Sequence, residues 1–308
     1  MRITQFVARS VLLTALMVLT SISQAADTRP VAVLVPGFFN SLSSGYIRVT
    51  PDKLKLEIRP YFAINIVQAI EAQGVDAVVV NTLSPVGTLE DNGERLIRFL
   101  DKLKSIAAYR GRPIHLIGHS AGGLYGFYAI AHRPDIGIKS LTTLSTPFHG
   151  VEFINKLADN IPGLADAVRF INLDSLPQLQ PENVARFMAG FDLPKNFVVK
   201  VFAGEQRVKL LPTDARGLSW PMATISLLIG KRSDGIVSVD SAYATGILLK
   251  TQGPMPVQKA VSTIPLEHWE QALDYRVFAL LGILNAKYIR DQQNAFYGSL
   301  ARNLKATK

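Results

Sequence analysis

A serine with glycine two positions away on either side stands at Gly118-His119-Ser120-Ala121-Gly122. A serine hydroxyl is a weak nucleophile at neutral pH until a neighbouring base takes its proton. The spacing serves that chemistry when the serine sits on a sharp strand-to-helix turn. Its hydroxyl then stands clear of the sheet, and the small neighbours let strand and helix approach each other. The first N–H groups of the helix then face developing negative charge. The flanks fit this setting: the apolar run Ile114–Ile117 leads in, and the helical run Leu124–His132 leads out. A base has to come from five histidines, His115, His119, His132, His149 and His268. The chain has no cysteine, which excludes a thiol nucleophile, a disulfide framework, Cys-ligated zinc and Cys-bound iron–sulfur clusters.

The elements that would position Ser120 alternate. Val31–Val35, Ala77–Val80, Ile114–Ile117, Ser140–Leu144 and Phe197–Phe202 are short Val- and Ile-rich runs, most of them ended by Gly, Pro or Asn. Such runs suit strands buried on both faces. Between them, Tyr61–Gln73, Leu89–Tyr109 and Leu124–His132 carry apolar residues at helical spacing, and a last helix is expected at about Trp269–Gln292. The alternation predicts an α/β fold, a mostly parallel sheet flanked by helices. Val151–Gly190 breaks the pattern with Pro162, Pro177 and Pro181 and reads as several short helices. Ile161, Leu164, Val168 and Ile171 form one helical stripe there. The segment suits either a cap over the sheet's C-terminal edge or helices packed on the core.

These residues resemble the α/β-hydrolase family, and within it the bacterial secreted lipases and esterases. Val33-Leu34-Val35-Pro36-Gly37-Phe38 is similar to the first core strand and oxyanion loop, with Pro36 where the family usually has His. Leu144-Ser145-Thr146-Pro147-Phe148-His149-Gly150 is similar to a lipase T-P-H-x-G stretch, with Phe148 inserted before the His. Ser233-Asp234-Gly235-Ile236-Val237 resembles the D-G-x-V segment that carries the triad acid. The likeness extends over about residues 31–290. It implies an α/β-hydrolase domain over 27–308 with a helical insertion at about 151–190. It also implies the chain order nucleophile, acid, base.

On that order Ser120 is the nucleophile and Asp234 the acid. His268 is the one histidine after Asp234, placed just before the last helix, and is the base. Glu205, directly after Phe197–Phe202, competes for the acid's role, with Asp240 behind it. The oxyanion hole falls to the backbone N–H groups of Ala121 and Phe38, with Phe39 one register step away. His115 reads as structural, His119 as directed away from Ser120, and His132 as a helix end favoured by the dipole. His149 lies in a loop that could line the site. Some lipases of this kind bind calcium, for which Glu270 is only a faint candidate here. No metal or cofactor is expected.

Other chemistries lack their motifs. There is no H-E-x-x-H, P-loop or G-x-G-x-x-G, and the basic residues are not interleaved with aromatics as nucleic-acid binding would favour. Met1–Ala26 reads as a signal segment with Arg2 and Arg9 leading an apolar stretch and cleavage near Ala25/Ala26, so the protein is expected to be secreted or periplasmic. Ser10–Ala26 falls short of the ~20 apolar residues that span a bilayer. Without Arg2 and Arg9 the balance of 33 basic and 24 acidic residues falls from +9 to +7, compatible with work near an anionic envelope. The expected substrate is a lipid or other apolar acyl ester, with transient contact with a lipid interface, while oligomeric state is not legible. A thioesterase, polyester depolymerase or acyltransferase would use the same triad. An inactive hydrolase-fold binding protein of the envelope is the reading outside enzymes.

Overall fold

Val31–Val35 forms strand β1 with all five side chains buried, as a strand covered on both faces requires. The structure, a computed structural model, describes residues 27–38, 45–50, 53–58, 61–154, 176–195, 197–206, 220–244, 258–274 and 286–306. The signal segment, Phe39 and residues 155–175 of the predicted cap lie outside these.

In chain order the elements are β1, β2 (Gly45–Thr50), β3 (Lys53–Ile58), α1 (Ile64–Glu71), β4 (Asp76–Val79), α2 (Leu89–Ser105), β5 (Ile114–His119), α3 (Ala121–His132) and β6 (Ile138–Leu144). They continue with α4 (Pro181–Met188), β7 (Val198–Gly204), α5 (Trp220–Ile229), α6 (Val239–Ala242), β8 (Gln258–Ile264) and α7 (Ala286–Ala306). Six strands form one parallel sheet in the order β4-β1-β5-β6-β7-β8. β2 and β3 make a separate antiparallel pair, Gly45 opposite Ile58, which the sequence pattern did not predict.

Alternation along the strands divides the core. Val31, Val33, Val35, Leu116, Leu141, Val199 and Val201 face α2 and α3, meeting Leu96, Leu100, Leu124 and Phe127. Ala32, Leu34, Ile117 and Leu144 face the other way, toward Ile66 and Ile70 of α1 and Tyr297, Leu300 and Leu304 of α7. Helix α2 starts where Thr88 accepts the Asp91 N–H at 2.9 Å, with Glu90 and Asp91 in its positive first turn and Lys102 and Lys104 in its last. In α4, Val184 and Phe187 join the core cluster, and the Phe187 ring stacks on Tyr128 of α3. This described end of the 151–190 segment therefore packs on the body of the domain.

The last helix differs from its expected range. Trp269–Gln271 is a 3-10 turn, residues 275–285 of the expected range lie outside the described ones, and α7 runs on to Ala306. Tertiary partners take the carbonyls after the turn: Ala272 accepts the Ala63 N–H at 2.8 Å, and the Gln293 amide donates to Glu270 and Leu273. With those groups satisfied from outside, nothing favours continuing the turn as a helix. Among the described residues no helix is long and apolar enough to cross a membrane.

Chain direction across the sheet reverses at β1. β4 pairs on one side of it, β5 on the other, and β6, β7 and β8 continue outward from β5. In open α/β sheets the crevice beyond the strand C-termini at such a reversal is where ligands bind. Beyond β1 lies Pro36-Gly37-Phe38, and beyond β5 lies Ser120.

Candidate active site

Ser120 occupies the single position between β5 and α3, at φ 55° and ψ −133°. This backbone conformation is unfavourable for a residue with a Cβ, by about 1–3 kcal/mol. Three hydrogen bonds hold it. The Ser120 N–H donates to Leu144 at 2.8 Å, and the Ser120 carbonyl accepts from the Gly123 N–H at 3.1 Å and from the Thr146 hydroxyl at 2.9 Å. The turn is possible because Gly122 has no side chain: a Cβ there would lie 2.1 Å from the Val35 carbonyl oxygen. On the β1 side, a Cβ on Gly37 would lie 2.6 Å from the Ser120 Cβ, so the loop after β1 abuts the serine. Ala121 opens α3 with its N–H at the helix's positive end. Phe38 is buried, its ring edge-on to Tyr125.

Asp234, between α5 and α6, packs at the end of β7 and meets His268, which lies on the loop after β8. The buried Asp234 Oδ2 lies 2.8 Å from His268 Nδ1, and the His268 N–H donates to the Asp234 carbonyl at 3.0 Å. The local sequence Asp234-Gly235-Ile236-Val237 explains the loop. Gly235 turns the chain at φ 99°, and the carboxylate Oδ1 accepts the Ile236 and Val237 N–H groups at 3.0 and 2.8 Å. Burial alone would raise the Asp234 carboxyl. The charge and hydrogen bond of His268, with donors from Ser145 and Val237, outweigh it and hold the group below the ordinary carboxylate value. An ionised carboxylate only accepts, so the His268 proton sits on Nδ1, which leaves the Nε2 lone pair for a proton from elsewhere.

Glu205 is engaged differently: its carboxylate forms a two-point ion pair with Arg232. Asp240 lies in the first turn of α6, capped by Ser238. His149 donates its N–H to Ser241 Oγ at 3.1 Å, and Ser241 Oγ donates to the Gly150 carbonyl. The loop after β6 is thus tied to α6, which follows the Asp234 loop. His132 stacks on Tyr128 at the end of α3. His115 is buried in β5 with Nδ1 2.8 Å from the Ser140 hydroxyl. Burial, aided by Lys200 and Lys139, pushes it down to about 4.

His119 has more in its surroundings than its place in the motif shows. Its ring packs against His268, centroids 4.7 Å apart, and its Nε2 lies 2.9 Å from the His268 carbonyl oxygen. A carbonyl only accepts, so Nε2 carries the proton and Nδ1 accepts from the Tyr61 hydroxyl at 2.7 Å. Tyr61 in turn accepts the Gly37 N–H. A buried chain of hydrogen bonds therefore links the loop after β1 to the loop of His268. Burial, and then the neighbouring His268, keep His119 neutral by holding it well below the usual imidazole value. Tyr61 and Gln271, another donor to Asp234, carried no motif that marked them, and Ser145 stood in the quoted 144–150 stretch without a role. Their partners are distant in the chain.

Among the described residues no group of three or more His, Asp or Glu side chains is arranged to hold a metal ion. Glu270 is buried, and its Oε2 accepts the Glu267 N–H at 3.1 Å.

The parallel sheet, the strand–serine–helix joint and the meeting of Asp234 with His268 beyond the strand ends make up an α/β-hydrolase fold. Solved structures share it. A Staphylococcus hyicus lipase superposes with a TM-score of 0.60 at 14% identity, covering 92% of this chain and 96% of that one. A metagenomic carboxyl esterase gives 0.64 at 14% identity, over 91% of this chain and 76% of that one. The mature form of a Bacillus licheniformis lipase gives 0.55 at 20% identity, over 85% and 96%. In sequence, 67 residues are 37% identical to a triacylglycerol lipase of Pseudarthrobacter phenanthrenivorans, and 67 are 37% identical to one of Burkholderia plantarii. Each match covers 22% of this chain and about a fifth of the relative, 20% and 18% respectively. No family model matches the chain.

Proposed function

We propose that this protein is a serine carboxylic-ester hydrolase acting on lipid or other apolar acyl esters. The observation that carries the reading is the buried 2.8 Å contact between His268 Nδ1 and Asp234 Oδ2, on loops beside the strained turn of Ser120. In this mechanism Ser120 Oγ attacks the ester carbonyl carbon while His268 Nε2 takes the hydroxyl proton. The carbonyl π electrons move to oxygen, and the Phe38 and Ala121 N–H groups receive that oxyanion. When the tetrahedral intermediate collapses, the ester C–O bond breaks and His268 returns the proton to the leaving alcohol. A water deprotonated by His268 then attacks the acyl carbon, the bond to Ser120 Oγ breaks, and His268 returns the proton to Oγ as the acid leaves. Asp234 stays ionised throughout, orienting the imidazole and stabilising its protonated form.

Phe153 and Ile154 at the start of the 151–190 segment pack against the core, and the apolar composition of that segment supports an apolar acyl group. That segment is proposed to act as a cap, and Met1–Ala26 to direct export. The test is labelling by a fluorophosphonate with the modified residue mapped by mass spectrometry. Ser120 is the expected site, and Ser120→Ala is expected to abolish labelling and lower the hydrolysis rate by at least about 10³-fold. Labelling elsewhere, or undiminished in Ser120→Ala, sinks the proposal. Rates against acyl length for nitrophenyl esters, with and without emulsified triglyceride, then separate a lipase from a small-ester esterase.

A further inference from the structure

The carboxylate of Asp234 is more heavily engaged than orienting one histidine requires. Oδ1 accepts two backbone N–H groups, and the Ser145 hydroxyl also donates to the carboxylate. Oδ2 receives His268 Nδ1 and, at 3.0 Å, the Nε2 of Gln271. Gln271 ends the 3-10 turn three residues after His268 and is fully buried. The second hydrogen of its amide points at the Leu266 carbonyl, 3.5 Å away. Its Oε1 has no hydrogen-bond partner among the described residues. A buried acceptor left unmatched is unfavourable, yet rotating the amide would aim that oxygen at a carboxylate. The charge of Asp234 thus decides which way the amide faces. The backbone also accommodates it: a Cβ on Gly204, at the end of β7, would lie 2.2 Å from Gln271 Nε2 and 2.7 Å from the Asp234 Cβ.

We infer that Gln271 is a positioning residue for the reaction, holding the Asp234 carboxylate in line with His268 by donating to the same oxygen that receives the imidazole N–H. The inference rests on the serine-hydrolase reading above. Its physical content is that the amide and the imidazole share one oxygen. Each hydrogen that Gln271 donates draws negative charge away from the His268 side, so the imidazolium is stabilised less than by an undivided carboxylate. Other titratable groups around His268 are His119, packed on its ring and tied to Tyr61, and Glu267 and Glu270, its buried neighbours in the chain. Changing residue 271 leaves all of them in place.

The sign follows. His268 must be neutral to accept the serine proton, so kcat/KM rises with pH through its ionisation. Gln271→Met fills the space without a donor. It is expected to move that acid limb up and to lower kcat by about tenfold, with KM little changed. Gln271→Glu keeps the shape and, while its carboxyl is protonated, a donor. It is expected to recover most of the loss at acid pH and to lose activity as pH rises where wild type is level. A melting curve shows whether each variant is folded. If Gln271→Met does not fold, Gln271→Glu decides: a profile coincident with wild type overturns the inference, and loss confined to higher pH and to kcat supports it. If both fold and neither moves the acid limb, the inference is overturned while the triad stands. If wild type neither hydrolyses ester nor labels at Ser120, it is the function proposal that has failed.

Discussion

Tyr61 shows how much one hydroxyl can connect. It accepts the Gly37 N–H beside Phe38 and donates to His119 Nδ1, and His119 passes the link to the His268 carbonyl. All the side chains involved are buried, so water cannot replace a lost partner. Burial raises the Tyr61 phenol far beyond its ordinary value, and it stays a donor at every working pH. Tyr61→Phe therefore strands both the Gly37 N–H and the His119 lone pair while keeping the ring against Phe62. Urea unfolding is expected to show a loss of about 1–3 kcal/mol, with Ser120 still labelled by a fluorophosphonate. A variant as stable as wild type would mean that the chain of hydrogen bonds does not form in solution.

At the scale of elements, the joint between β5 and α3 carries the most constraint. A Cβ on Gly122 would meet the Val35 carbonyl oxygen of β1 at 2.1 Å, and backbone cannot swing aside as a side chain can. Gly122→Ala is expected to cost about 3 kcal/mol or more by forcing α3 off the sheet. A lowered urea midpoint at unchanged slope would show it, and a wild-type midpoint would refute the packing argument. This joint was legible in the sequence because its cause is local: an apolar run, two glycines and a helical run lie within twenty residues of each other in the chain. Five of the six strands of the main sheet were legible for the same reason, to within a residue or two at most ends, while β8 was not among those read from the sequence. Asp234 was picked out by its likeness to the D-G-x-V segment and by the chain order nucleophile, acid, base, with Glu205 and Asp240 as rivals, and the structure sets its carboxylate against His268. What could not be read depends on contacts between remote segments. Nothing near Gln271 announces a partner in Asp234, and nothing near Ala272 announces that Ala63 and Gln293 end the turn that a 3.6-residue period would extend. The β2–β3 pair was missed too, although Lys53–Ile58 alternates charged and apolar residues at the period of a half-buried strand.

For the whole molecule, the buried histidines make stability depend on pH in a window of their own. His115 sits between β1 and β6 with its ring neutral, held down to about 4 by burial first and by Lys200 and Lys139 after it. Unfolded, it takes a proton below about 6.5. Because its folded value is depressed, the unfolded chain binds the extra proton first, and stability must fall as pH drops from about 6.5 to about 4. His119, depressed for the same primary reason, adds in the same direction. Asp234 acts lower: its folded value is also depressed, so its contribution is complete above about pH 4 and is lost only as pH falls through that lower value. The two windows separate the histidines from the carboxylate. Between pH 7 and pH 5 His115 alone should cost roughly 2 kcal/mol. His115→Leu leaves the Ser140 hydroxyl without this partner and lowers stability at pH 7, but it removes the titration. The gap between variant and wild type should therefore narrow by about that amount at pH 5. Urea midpoints at the two pH values measure the narrowing, and parallel losses in both proteins would show that His115 is not held neutral in the sheet.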